Sequence, residues 1–221
     1  MRSLLVLLLV AFGVSGAATA QTAEFKCPAV GNQYDFKWNS GRITRYTSQG
    51  REGTDCAYMV TRVGSGGAPT KVAARSNLLF TPIPPLLAAE VFKAWPLAVG
   101  RQIRATVDFA KASPKDYRKT DGTASSWVQD FQMDIQAYLK INLPYGPLDV
   151  FRIEVRTDDR SDDPHFIEFK CRGDLECHGS VRTTTKIWYS PELSIVVKFE
   201  ETQDKPATNP PATDAFLIAV Q

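Results

Sequence analysis

The sequence predicts a mainly β protein: a large curved antiparallel sheet, an open or half barrel, carrying one short helix. Three observations carry this. First, Trp127 to Ile141 alternates along its length, with Trp127, Phe131, Met133, Ile135, Ala137, Leu139 and Ile141 on one parity and Asp130, Gln132, Asp134, Gln136 and Lys140 on the other. Period-two alternation means a strand with one buried and one wet face. At ~3.3 Å per residue it would run about 50 Å, and a ribbon that long twists and bends. Second, further alternating segments follow at hairpin spacing. Third, only one stretch in the chain reads as a helix.

The elements are justified in chain order. Residues 1–20 hold Arg2, an apolar run from Leu4 to Phe12, and an Ala18-Thr19-Ala20 cleavage pattern. This is the layout of a secretory signal peptide. The run is too short to span a bilayer, and no second one follows, so no transmembrane segment is expected. The expected organisation is a signal peptide over 1–20 and a single secreted β-rich domain over 21–221. No cysteine adjoins the cleavage site, so no lipid anchor is expected.

Tyr34, Phe36 and Trp38 alternate with Asp35 and Lys37, which predicts a strand; Arg42–Thr47 and Asp55–Val63 are its expected neighbours. Pro84-Pro85 precedes Leu86-Leu87-Ala88-Ala89-Glu90-Val91-Phe92-Lys93, a helix signal with proline well placed at the start. Pro96 ends it, and a strand is expected over Gln102–Phe109. Lys111–Ser126 is hydrophilic and reads as a loop before the long strand. Leu143–Pro147 is turn chemistry. Phe151, Ile153 and Val155 then alternate with Arg152, Glu154 and Arg156. Asp158–Pro164 reads as a polar loop, and Ile167, Phe169 and Cys171 as another alternating segment. Val181–Tyr189, the turn Ser190-Pro191-Glu192, and Ser194–Glu201 make a hairpin. Gln203–Thr213, with three prolines, reads as an extended linker, and Phe216–Val220 as a closing strand. Sequential hairpins make a meander.

Four cysteines lie beyond the leader: Cys27, Cys56, Cys171 and Cys177. An even count in an exported chain suggests two disulfides, with three possible connectivities. The pairs expected are Cys27–Cys56 and Cys171–Cys177, the second clamping the turn at 172–176. No C-x-x-C spacing suggests a metal instead.

Composition excludes several functions. The chain carries 26 basic and 24 acidic residues, and although the first half is the more basic, no basic run or stripe appears. Nucleic acid is therefore not an expected partner. There is no G-x-S-x-G, P-loop or dinucleotide fingerprint, and no cofactor is implied. The only histidines, His165 and His178, lie near Asp162 and Asp163 but fall short of a metal site's usual three spaced ligands. Asp158–Asp163 lacks the glycine and terminal glutamate of a calcium loop and has Arg160 in its middle. Trp188 falls on the opposite parity from Ile187 and Tyr189, so it faces a cavity, solvent or a second core under the sheet. The sequence leans against an enzyme and names no catalytic residue.

Trp95–Gly100, Leu143–Glu154 and Thr185–Lys198 together resemble a family of uncharacterised secreted proteobacterial β-domains. Their pattern runs from a PL-x-VG strand lead-in through a P-x-G-x-F turn to a WYSPELG-x-VVK hairpin. The resemblance covers roughly residues 90–202, and this chain has Ser194 where glycine is usual. It implies a long antiparallel sheet curled around a helix, similar to periplasmic lipoprotein carriers, and no activity. The expected function is that of an exported, non-catalytic periplasmic protein. It would bind an amphipathic, lipid-like ligand or an envelope component in a concave apolar sheet. The alternatives are an envelope-polymer hydrolase using carboxylates that the sequence does not single out, and a structural accessory docking a protein partner.

Overall fold

The structure, a computed structural model, describes residues 21–64, 66–81, 83–112, 126–161, 179–205 and 213–221. Ten strands form one antiparallel sheet that stays open: β2 (Gln33–Trp38), β3 (Ile43–Glu52), β4 (Asp55–Arg62), β5 (Thr70–Arg75), β7 (Gln102–Asp108), β8 (Trp127–Leu143), β9 (Gly146–Ser161), β10 (Ser180–Ser190), β11 (Ile195–Lys205) and β12 (Thr213–Val220). Across the sheet they run β5-β4-β3-β2-β12-β11-β10-β9-β8-β7. Two meanders, β2–β5 and β7–β12, are joined where β12 pairs with β2. Gln33 and Gln221 exchange both backbone bonds there, at 2.9 and 3.0 Å. A separate two-stranded pairing joins β1 (Thr22–Ala23) to β6 (Leu97–Ala98).

The long alternating strand is present, and one residue parity of it is buried: Phe131, Met133 and Ile135 are each at most 2% exposed. A β-bulge between Ile135 and Ala137 shifts its register against β9. Bulges increase local twist and bend the bulged strand. The predicted polar loop at Asp158 is corrected, because β9 continues to Ser161. Thr157, Asp159 and Ser161 are buried there. Asp159 is held by the Trp127 indole N–H at 3.0 Å and the Gln129 amide at 2.8 Å. Such bonds let polar residues occupy a buried face. The expected linker is likewise shorter, since β11 reaches Lys205.

The apolar side of the sheet is covered by the chain itself. After β5, residues 76–98 cross it as a strap containing a 3-10 turn (Pro85–Leu87) and the predicted helix, α1 (Ala88–Phe92). A second short helix, α2 (Phe109–Ala112), was not signalled by the sequence. The strap contributes Leu78, Leu79, Ile83, Leu87, Val91, Ala94, Trp95 and Leu97 to one contiguous core with Tyr34, Phe36, Tyr58, Ile153, Ile187 and Phe199. Each such large side chain taken from water contributes about 1.5–3 kcal/mol. Phe80 stacks on Phe199 at 4.6 Å and meets Phe36, Trp38 and Tyr46 edge-on.

The strap is latched by a buried polar hub. Ser76 and Asn77 turn the chain with φ of 50° and 54°, a left-handed conformation that asparagine tolerates better than most residues. The Asn77 amide donates to the Lys26 carbonyl at 2.6 Å and the Ser194 carbonyl at 2.7 Å. Its oxygen accepts from the Tyr58 hydroxyl at 3.0 Å. Beside it Cys27 and Cys56 form the expected disulfide. The Cys171–Cys177 pair, His165 and His178 lie outside the described residues, as does the leader.

Candidate functional site

The alternation that builds the core also builds the opposite face, and there the structure holds an open groove of about 940 Å³. Strand register places its side chains in rows. One row runs Arg104, Gln132, Arg156, Thr184 and Thr202 across β7 to β11. The next runs Thr106, Asp130, Asp158 and Arg182. On the other flank Glu154 stands beside Lys186. Neighbouring strands lie about 4.8 Å apart, so each row is a ladder of polar groups at that interval.

Every carboxylate lining this groove has a cation of its own. Arg182 donates to Asp158 at 3.0 Å. Arg156 pairs with Glu154, which is only 6% exposed. Arg160 pairs with Asp130, which also accepts from the Thr106 hydroxyl at 2.7 Å. Two cations in the lining lack such a partner. Arg104 meets only the neutral Gln102 oxygen, at 3.4 Å. Lys186 is exposed, and its ammonium makes no hydrogen bond or ion pair with any described residue, its cross-strand neighbours Glu154 and Glu200 being paired with Arg156 and Lys198. The arrangement therefore offers hydrogen-bonding groups and a small positive excess. Among the described residues of the groove no nucleophile stands beside a free base, the pairing that covalent acyl transfer uses.

The apolar cleft expected from the sequence is not where the cavity lies. The strap fills the apolar side, and the open side is the polar one. Trp188 shares the groove's parity but is 8% exposed, so it is packed rather than presented. Lys198 covers its ring at 4.5 Å. A second, smaller hollow of about 390 Å³ lies at the far end of the sheet, lined by Trp38, Arg42, Thr44, Tyr46 and Arg62. Arg42 already sits over the Trp38 ring at 4.4 Å, and the indole N–H donates to Thr44 at 2.9 Å. Nearby burial pushes the Tyr46 phenol up to about 12.

Among the described residues no three His, Cys, Asp or Glu stand together as a metal site. No described helix is long and apolar enough to cross a membrane. The groove residues Arg104, Arg156 and Lys186 were not singled out from the sequence. Their signal was the wet parity of the strands, which also describes any solvated sheet face.

The fold defines a class, an open, strap-filled antiparallel sheet. No family model and no curated protein matches the chain. Two solved structures resemble it. One is a proposed exported protein with a YmcC-like fold from Bacteroides fragilis, at 11% identity and a TM-score of 0.40, over 90% of this chain and 99% of that one. The other is a proposed lipoprotein from Parabacteroides distasonis, at 12% identity and a TM-score of 0.41, over 91% of this chain and 100% of that one. Likenesses this loose assign neither a family nor a function.

Proposed function

We propose that this chain is an exported, non-catalytic binding protein of a Gram-negative cell envelope. On this reading residues 1–20 are removed as a signal peptide, and residues 21–221 act as one periplasmic β-rich domain that holds a hydrophilic envelope component in the groove across β7–β11. The leader pattern supports export, and so does the Cys27–Cys56 disulfide, since such bonds persist in oxidising compartments. The observation that carries the binding reading is the groove itself. It lies at the upper end of the usual size for ligand sites, and its walls are mostly hydroxyl, amide and charged groups, with Ala105 and Phe131 among them. A lipid-like ligand is disfavoured, because the apolar face it would need is covered by Leu78, Leu87, Val91 and Trp95. Hydrolysis is disfavoured, because Asp130, Glu154 and Asp158 are each tied to an arginine. Docking through an apolar patch is disfavoured too, since the exposed large apolar residues Val30, Val63, Leu86, Val99 and Tyr145 fall in separate turns and loops.

Native mass spectrometry and co-precipitation with soluble envelope fractions, using protein purified from its own host, test this. The wild type should retain a hydrophilic component, and Thr184→Trp, which fills the groove's centre, should lose it. Bare wild-type protein that retains nothing, or equal retention by the filled variant, would refute the proposal.

A further inference from the structure

We infer that the groove's ligand is an acidic polysaccharide with widely spaced charges, held at its anionic groups by Arg104 and Lys186. This rests on the groove-binding reading above and narrows it to a substrate class.

The inference comes from which charges are already spent. The cations Arg156, Arg182 and Arg160 are matched to Glu154, Asp158 and Asp130. Arg104 and Lys186 are what remains, and they stand on opposite sides of the groove. β7 and β10 are three strand spacings apart, which at ~4.8 Å each separates the two backbones by about 14 Å. Gln132 stands on β8 between them, while Thr184 lies two residues from Lys186 on β10, with Thr202 beside it on β11. Neutral donors and acceptors of this kind suit sugar hydroxyls, while the outer cations suit carboxylate or sulfate groups.

The same floor argues against a densely charged polymer. A single nucleic acid strand carries a charge about every 3.4 Å, so it would lay several phosphates across Asp130 and Glu154. Like charges placed so close repel. A polymer charged on alternate sugars can meet Arg104 and Lys186 while passing uncharged stretches over the carboxylates. A lipid headgroup would leave its acyl chains against polar side chains, with no apolar wall to take them.

The test uses four probes on the full mature protein: hyaluronate oligosaccharides, with one carboxylate per two sugars; polygalacturonate, with one per sugar; neutral dextran; and polyphosphate. Calorimetry or affinity electrophoresis reads the binding. Hyaluronate should bind best, and more weakly as salt rises. Arg104→Gln and Lys186→Gln should each weaken it about three- to fivefold. The double variant should lose about the product of the two, since the sites are far apart. Both side chains are exposed, and circular dichroism confirms that the variants fold. Hyaluronate bound no better than dextran or polyphosphate, or unaffected by the double substitution, would overturn the inference. If dextran binds equally and Thr184→Trp abolishes that binding, the charge reading fails and the groove reading stands. If no probe binds although the host's envelope fraction is retained, the polysaccharide class is wrong and the groove reading again stands.

Discussion

Replacing Asn77 with alanine removes the hub that latches the strap to the sheet. Three short bonds are lost at once, those to the carbonyls of Lys26 and Ser194 and from the hydroxyl of Tyr58, beside a weaker 3.4 Å bond to the Tyr189 hydroxyl. An orphaned buried polar group costs about 1–3 kcal/mol. Carbonyls keep a second lone pair, so about 1 kcal/mol for each of the three is the fair figure. Asn77 also holds φ at 54°, which alanine adopts at about 1 kcal/mol more. The sum, about 4 kcal/mol, lowers the Tm of a domain this size by ~8–16 °C. Thermal unfolding followed by circular dichroism reads it. Tyr58→Phe removes one of the three bonds and should cost only about 1 kcal/mol. The double variant should show coupling between the two residues of similar size, because they share that bond. A shift below ~3 °C for Asn77→Ala, or a Tyr58→Phe loss equal to it, would show that the strap is held by apolar contact alone.

Three other outcomes are expected. Burial raises the phenols of Tyr34, Tyr46, Tyr58 and Tyr189, with Tyr46 pushed up to about 12. The unfolded chain ionises near pH 10 while the folded state keeps these protons, so their contribution is whole below pH 10 and is lost as pH rises towards 12. A tyrosinate absorbance titration should therefore show these four of the seven tyrosines ionising only together with unfolding; smooth ionisation of all seven in the folded protein near pH 10 would contradict this. Replacing Cys27 and Cys56 with alanine opens a loop spanning 29 residues, worth ~3.5 kcal/mol in the chain-entropy picture, and a denaturant midpoint that does not move would refute that role. Ser194 has φ of 54° in the β10–β11 hairpin, so Ser194→Gly should stay within about 1 kcal/mol of wild type while Ser194→Val loses at least ~2 kcal/mol; equal stability of the two variants would show that the backbone there is not constrained.

Much of the fold was legible because alternation is a local record of burial. Phe131, Met133 and Ile135 declare β8, and Ile187 and Tyr189 declare β10, whatever lies on the other side of the sheet. The bulge at Gln136 left no trace, since the apolar alternation runs through it unbroken even though one inserted residue turns the following side chains to the other face. The end of β9 was hidden for another reason. Thr157, Asp159 and Ser161 are buried, but they are polar and satisfied by partners such as Trp127 and Gln129, so the segment looked wet on both faces.

The expectation of an open apolar cleft met a more general limit. Alternation says that a sheet has one apolar and one polar side, but not which side the chain will cover. The strap that decides the matter is interrupted by Pro82, Pro84, Pro85 and Pro96. Its leucines therefore follow neither period, and their role was not visible along the sequence. Immediately before β11, Ser194 occupies the left-handed conformation that glycine takes without strain.

The pairing of β12 with β2 has a consequence for biogenesis. Among the described residues it is the only seam between the two meanders. A chain delivered amino end first presents Tyr34, Phe36 and Trp38 long before the ribbon that must lie beside them is available. Until Thr213–Val220 emerges, the first meander keeps a bare edge and its half of the sheet stays unjoined. Closure of the sheet across this seam therefore waits for the last strand of the chain.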